Sequence, residues 1–407
     1  MVKPVAGTAR EIRAYHPFSK LNALLAEVPA GPSPAPDGGP VHLQVGEPRA
    51  DPPAWIDDRV AGTGGWNRYP PPRGTEAYRA ASHGWLARRY PEGARLVDAE
   101  TQILPLPGTR EGLFFAALAA RRPGKDVVLL PNPFYHVYAG AAVAAGMTPL
   151  FVPATAATGF QPAYDSLDAA TLERAAIAYV NSPSNPQGAV ADTRRLCDTI
   201  ALARRHDILL ALDECYADIH AGSPPPGGLD AAAHLGADLA NVLVFHSLSK
   251  RSSAPGLRCG FATGDRAWLD ALDATLRVGG AGVSLPVLNA GAALWADDAH
   301  AAGYRERYDA AFAAAARALG DDLVRPAGGF FLWLDVGDSE AAAVRLWRRA
   351  GIRVLPGAYM SVPDAHGENP GASHIRVALV DAPDELAPIL ARLADVLWGD
   401  DAGAASA

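Results

Sequence analysis

The 407-residue sequence is poor in cysteine and in lysine, and each shortage removes a class of function. Its three cysteines, Cys197, Cys215 and Cys259, are scattered and odd in number, with no CxxC pair. That excludes a disulfide framework and a structural zinc site, predicts no bound metal, and fits a reducing cytoplasm. No apolar run approaches the ~20 residues that a membrane span requires. The opening MVKPVAGTAREIRAYHPF is without the apolar core of a signal peptide. Basic charge is also in deficit, with a formal net charge of −8, so the basic face of a nucleic-acid-binding protein is not expected. The only lysines are Lys3, Lys20, Lys125 and Lys250. Chemistry that needs a primary amine therefore has very few places to sit.

What is present is ample apolar material. Hydrophobic residues make up 49% and charged residues 20%, enough for a sizeable core in two or three domains. The stretch PAGPSPAPDGGP (29–40) reads as a loop, and the final DDAGAASA as a frayed tail. Between residues 101 and 265 short apolar runs alternate with helical stretches. DVVLLPNP (126–133), TPLFVPA (148–154), IAYVNSP (177–183), ILLALDE (208–214) and NVLVFHS (241–247) read as buried strands. The span Thr193 to His206 puts Leu196, Ile200 and Ala203 on one helical face. Strands alternating with helices predict an α/β fold with a doubly wound, mostly parallel sheet. After about residue 285 the texture changes: helical stretches at 286–319 and 339–350 flank FFLWLDV, and HIRVALV precedes a last helix. The expected division is an N-terminal arm (1–55) completing part of a small domain, a large domain (56–285), a small α+β domain (286–400) and a disordered tail (401–407).

Ligands of doubly wound sheets bind beyond the carboxyl ends of the strands. In order, the strand ends carry Gly108, Thr109 and Arg110, then Tyr135, Asn185, Asp213 with Tyr216, and Ser247, Ser249 and Lys250, with Arg258 eight residues further on. A flat aromatic ring bearing an aldehyde, a ring nitrogen and a phosphate accounts for all these residue types together, and pyridoxal 5'-phosphate is such a molecule. Lys250 closes an apolar strand, where desolvation favours the neutral amine that a Schiff base requires. Asp213 ends ILLALD, where an unpaired carboxylate is costly; it pairs either with an arginine or with a protonated pyridine nitrogen. Tyr216 and Asn185 are candidate donors to the ring oxygen. Gly108-Thr109-Arg110 opens a helical stretch whose N-terminus suits a phosphate, although threonine is also an ordinary N-cap. Arg258, Ser247 and Ser249 complete a phosphate cup through charge-assisted bonds. Tyr135 either stacks on the ring or packs in the core.

The blocks SLSKRSSAPGLRCGF (247–261), NSPSNPQG (181–188) and LDECYADI (212–219) resemble the signature segments of the class I/II aminotransferases, pyridoxal-phosphate enzymes of fold type I. The resemblance runs from LQVGEP (43–48) to HIRVALV (374–380). It implies that Lys250 carries the cofactor and then moves a proton between substrate Cα and cofactor. It further implies that Asp213 binds the pyridine nitrogen, that Tyr216 and Asn185 bind the ring oxygen, and that Tyr135 stacks on the ring. Gly108, Thr109, Arg110, Ser247, Ser249 and Arg258 would surround the phosphate. Tyr69, in NRYPPPRGTEAYR, resembles the tyrosine that reaches the phosphate of a neighbouring subunit, which implies a homodimer. Arg376 in HIRVAL matches the arginine that grips the substrate α-carboxylate, with Gly46 lining the same site; without the resemblance Arg376 would read as a surface residue of an edge strand.

A closer likeness is to the N-succinyldiaminopimelate aminotransferases of lysine biosynthesis, through HPFSKLNALLAEV, PLPGTREGLFF, PNPFYHVYAGA, LPGAYMS and AHGENPGASHIRVALV. It implies an amino acid and a 2-oxo acid as substrates, exchanged in a ping-pong cycle with glutamate and 2-oxoglutarate. NPQG and RSSAPG depart from that pattern, and RVGGAGVS (277–284) has none of the aromatic or histidine residues expected there, near the distal end of the substrate. Two other readings remain open at this stage. One is a lyase, decarboxylase or oxidase on the same scaffold. The other is a ligand-sensing regulator, against which the short, weakly basic N-terminal arm argues.

Overall fold

The computed structural model describes residues 6–399 apart from 237, 281 and 321–322. The tail expected to be frayed, 401–407, lies outside the described residues. Among the described residues twelve strands form three sheets. In chain order they are β1 (Val41–His42), β2 (Ile103–Leu106), β3 (Val127–Asn132), β4 (Thr148–Pro153), β5 (Ala175–Asn181), β6 (Leu209–Asp213), β7 (Val242–Ser247), β8 (Gly260–Gly264), β9 (Phe331–Asp335), β10 (Ile352–Arg353), β11 (Leu355–Pro356) and β12 (His374–Ala378).

The large sheet has the order β2-β8-β7-β6-β5-β3-β4. The pairs from β7 to β4 are parallel, and β8 runs antiparallel to both its neighbours. All five buried runs expected as strands are strands of this sheet. Its inner strands are apolar on both sides because both faces are covered by helices, and successive residues alternate between two separate cores. Leu210, Leu212, Val242 and Val244 enter one core, with Trp85, Tyr90 and Trp295. Leu209, Ala211, Leu243 and Phe245 enter the other, with Tyr138 and Tyr179. The expected helix forms at Thr193–Arg205 and buries Leu196, Ile200 and Ala203, with Asp192 capping it by accepting from the Arg195 amide.

The three-stranded antiparallel sheet has the order β11-β12-β9, and β1 pairs in parallel with β10, so the N-terminal segment is knitted to the C-terminal part of the chain. The single helical stretch expected over 286–319 is two helices, Leu285–Ala296 and Ala299–Leu319, broken at Asp297 and Asp298. The break has a physical cause. Asp297 has an extended backbone (ψ 117°) and its Oδ1 accepts from the Ala299 amide at 2.8 Å, starting the second helix afresh, while Asp298 accepts from Arg88 and Arg251. The first of the two helices packs on Glu76–Arg89 and buries Trp295 beside Trp85. No helix among the described residues is long and apolar enough to cross a membrane.

Candidate active site

A cavity of about 570 Å³ opens between the large sheet and the three-stranded sheet. The last residues of three neighbouring strands, Asn181 of β5, Asp213 of β6 and Ser247 of β7, face it, which is the strand-end position expected for an α/β ligand site. From the other side it is closed by Phe331 of β9, Arg376 of β12 and Gly46, four residues past β1.

Lys250 lies three residues past the end of β7, in the short helix Leu248–Arg251, and not on the strand itself. The strand's exit turn therefore carries the amine across the cavity floor, where Nζ donates to the Gly46 carbonyl at 2.6 Å. Burial pulls its pKa down to about 8; Arg376 and Arg110 push the same way, whereas Cys215 and Glu47 oppose them. An amine poised this close to neutrality is a nucleophile at physiological pH.

Asp213 is buried, and among the described residues no arginine forms an ion pair with it, so the purely structural pairing is not realised. Its Oδ2 accepts from the Tyr138 hydroxyl at 2.6 Å and its Oδ1 from the Cys215 amide at 3.3 Å. Burial raises its pKa, and these hydrogen bonds together with Lys250 hold it back. This is a carboxylate prepared for a cationic or N–H partner on its cavity side.

Arg376 is not a surface residue of an edge strand: it is on the central strand of its sheet and is buried. Its Nη1 donates to Asn185 Oδ1 at 2.8 Å and its Nη2 to the Gln44 carbonyl at 2.6 Å. The guanidinium lies over the Phe331 ring at 4.3 Å, while Nε is buried without a hydrogen-bond partner among the described residues. Burial lowers its pKa to about 10. No carboxylate among the described residues pairs with it, so a buried cation with an unfilled donor awaits an anionic ligand. The Asn185 amide donates to Asn181 Oδ1, and Asn181 Nδ2 donates to the Asp213 carbonyl. One polar chain thus links Arg376 to the end of β6.

The phosphate-cup residues also converge. Gly108 precedes the helix Thr109–Ala120 with φ 94°, and a Cβ there would collide with the Arg258 guanidinium, so only glycine admits that arginine. Arg258 donates to the Pro107 carbonyl and to Glu111 at 3.0 Å. Ser249 N donates to Ser247 Oγ at 3.1 Å, and that hydroxyl donates to Ser249 Oγ. Thr109 Oγ1 lies 2.8 Å from Cys215 Sγ, and Arg110 Nε donates to the Tyr135 hydroxyl at 3.0 Å. Thr109, Arg110, Tyr135, Tyr216, Ser247, Ser249 and Arg258 all line the same cavity. A helix N-terminus, hydroxyls and two arginines on one wall, with an amine and a carboxylate beyond them, fit the phosphate, aldehyde and ring nitrogen of pyridoxal phosphate.

Among the described residues, Tyr69 and the segment 277–284 do not line this chain's own cavity. Tyr69 is 98% exposed and away from the cavity. The departure at 277–284 contributes no cavity-lining residue among those described; its first residues end the helix Arg266–Gly279, and Gly282 lies against Pro70, next to Tyr69. Sequence reasoning passed over Tyr138 and Asn181. Asn181 carried the same signal as Asp213, a polar residue closing an apolar strand. Tyr138 carried only its three-residue spacing from Tyr135, and its aim at Asp213 depends on how the helix His136–Ala144 packs.

A sequence profile described as Aminotransferase class I and II matches residues 39–393. An LL-diaminopimelate aminotransferase of Desulforudis audaxviator is 34% identical over 300 residues, covering 72% of this chain and 74% of that protein. The structure of an aminotransferase from Neisseria meningitidis superposes with a TM-score of 0.88 at 32% identity, over 97% of this chain and all of that one (100%). A Thermus thermophilus structure, named as a probable N-succinyldiaminopimelate aminotransferase, superposes with a TM-score of 0.80 at 26% identity, over 93% of this chain and 100% of the other.

Proposed function

From the premise that the chain belongs to the class I and II aminotransferases, pyridoxal-phosphate enzymes of α/β fold, we propose that it transfers the amino group between glutamate and the 2-oxo acid of N-succinyl-LL-2,6-diaminopimelate. That reaction belongs to diaminopimelate and lysine biosynthesis. The observation that carries the reading is the meeting of a near-neutral Lys250, an arginine-free Asp213 and a carboxylate-free Arg376 around one cavity.

Pyridoxal phosphate, when bound, supplies an aldehyde carbon and an electron-withdrawing ring. The chain's own residues do the rest. Thr109, Ser247, Ser249, Arg110 and Arg258 hold the phosphate, and Gly108 keeps the approach open. Asp213 keeps a proton on the ring nitrogen, held in its acceptor role by Tyr138. Tyr216 and Asn185 bind the ring oxygen, and Tyr135 covers the ring. Arg376 and Gly46 seat the α-carboxylate, fixing the Cα–H bond with respect to the ring. The Lys250 amine would then take the Cα proton and pass it to the former aldehyde carbon of the cofactor, and would carry a proton the reverse way, back to Cα, in the second half-reaction.

We further read the active unit as a cytoplasmic homodimer, with the exposed Tyr69 completing a neighbour's phosphate site. A mixed dimer of Tyr69→Ala and Lys250→Ala subunits tests this: it should regain about one working site per dimer, whereas additive inactivity would refute it.

A second substrate reading is favoured by the Desulforudis relative and by the cavity mouth. Pro17, Phe18, Tyr359 and Met360 are among its lining residues, and the cationic ones, Arg110, Lys250, Arg258 and Arg376, already have roles. On that reading the free diaminopimelate is the donor. A panel of amino donors with 2-oxoglutarate, including LL-diaminopimelate and its N-succinyl derivative, separates the two. Ready glutamate turnover with no reaction of the succinylated compound would reject the first.

A further inference from the structure

Behind the cofactor-facing residues, on the opposite face of the large sheet, lies a second polar cluster that the reaction does not touch. Strand alternation puts it there. Asp213 and Phe245 point to one side of neighbouring strands β6 and β7, so Glu214 and His246 point to the other. Glu214 and His246 are 3% and 1% exposed, in a core otherwise built of Trp85, Tyr90, Phe261 and Trp295. The Glu214 carboxyl accepts from the Tyr90 hydroxyl at Oε2 and from the Gly228 amide at Oε1, each at 2.7 Å. Oε2 also lies 3.6 Å from His246 Nε2, which is buried and has no hydrogen-bond partner among the described residues. From the end of β6, one side chain therefore hydrogen-bonds the end of the helix Glu76–Arg89 and the start of the helix Gly228–His234, and lies against His246 near the end of β7.

We propose that Glu214 is a positioning residue that acts as a neutral carboxyl, holding the exit of β6, with Asp213, in register with the exit of β7, with Ser247 and Lys250. This rests on the function proposed above, because the register matters only if those exits share one ligand. A neutral acid puts no unpaired charge in this core: its two oxygens accept from Gly228 and Tyr90, and its proton can face His246 Nε2, which at 3.6 Å is a neighbour rather than a hydrogen-bond partner. An ionised pair would need two buried charges with long, imperfect geometry.

The electrostatics agree with this arrangement. Burial raises the Glu214 pKa to about 7 and lowers that of His246 to about 3, so His246 is neutral and the Glu214 carboxyl is mostly protonated below pH 7. The charged groups facing the cluster are Arg89, whose guanidinium covers the Tyr90 ring at 4.4 Å, Asp218, Asp230 and Arg251. Arg89 lowers the Glu214 pKa and Asp230 raises it. Arg89 and Arg251 both lie against Asp218, and Arg251 also against Asp298, so the surrounding cations are already matched.

The test uses Glu214→Leu and Glu214→Gln in the full chain, with and without pyridoxal phosphate. Glutamine keeps an acceptor and an uncharged donor, whereas leucine removes both. With leucine, cofactor dissociation should rise, and kcat fall, about 10- to 100-fold with the amino-donor KM unchanged, because misplacement of the reacting groups by about 1 Å has that effect. Glutamine should rescue both. Without cofactor, a carboxyl with pKa 4.5 when unfolded and about 7 when folded binds protons on folding, so its stabilisation is full below 4.5 and lost as pH rises through about 7. The melting temperature of Glu214→Gln relative to the unaltered protein should therefore rise between pH 5 and pH 8. A pH-independent difference, or a glutamine variant as impaired as leucine, would overturn the proposal. Should the leucine variant fail to fold, Tyr90→Phe replaces it, and unchanged cofactor affinity in that variant would count against the proposal. If the protein binds no pyridoxal phosphate at all, the function proposed above fails, while the melting series still reports on Glu214.

Discussion

The hydroxyl of Tyr138 donates to Oδ2 of Asp213 at 2.6 Å, with both side chains buried and the tyrosine ring stacked on Tyr179 at 4.4 Å. Tyr179 is itself anchored through its hydroxyl to the Leu113 carbonyl, so the donor to Asp213 is held from two directions. A hydrogen bond to a buried carboxylate is worth about 1.5–3 kcal/mol. Tyr138→Phe should therefore slow turnover by roughly 10- to 100-fold without preventing cofactor binding. Single-turnover kinetics with glutamate, beside cofactor titration, check both halves of that expectation.

Asp213→Ala removes the partner of the ring nitrogen. The expected loss is about 3–5 kcal/mol of transition-state stabilisation or more, several orders of magnitude in rate. Near-normal turnover would make Asp213 a structural residue only.

Lys250 has its pKa brought down to about 8 by burial, so the neutral fraction of its amine grows with pH up to and through that value. Covalent uptake of pyridoxal phosphate by apoprotein, followed by absorbance, should accelerate as pH rises towards about 8 and level off above it. Borohydride should then fix the cofactor on Lys250. Labelling of Lys20 or Lys125 instead, found by peptide mapping, would reject the assignment.

Arg376→Ala leaves Asn185 and the Gln44 carbonyl without their donor and removes the only cation buried over Phe331 among the described residues. Every amino and oxo substrate should weaken alike, by about 2–5 kcal/mol, as for one broken partner of a buried charge pair. Comparison of kcat/KM for glutamate and for the succinylated substrate reads this directly, and selective loss of one of them would place Arg376 at the distal end.

Gly108→Ala introduces a methyl that collides with the Arg258 guanidinium, at a residue with φ 94°. The side chain of Arg258 is flexible and half exposed, so the fold should survive while the arginine is displaced. Cofactor affinity should fall about tenfold, the loss of roughly one charge-assisted hydrogen bond, with the melting temperature of apoprotein lowered only slightly.

Much of this site was legible in the amino-acid order because its residues sit where a local pattern breaks. An apolar run that closes in Asp213 or Ser247, a lone lysine after a strand, and a glycine before a helix are each visible without a partner in view. Strand alternation and helical spacing are properties of neighbouring residues, and they determined the α/β layering and the strand-end location of the chemistry. What the tertiary structure decided is which distant groups meet. Tyr138 aims at Asp213 from a separate helix, Gly46 receives Lys250 from 204 positions away, and Arg376 lies at the centre of its sheet only because β9 and β11 flank it. The pairing of Glu214 with His246 has the same origin: each is an unremarked polar residue of a strand end until register aligns β6 with β7. Proximity across the chain is set by packing, and burial, which packing also sets, fixes the charge state of each group. Both are properties of the folded whole, and no local stretch of sequence carries them.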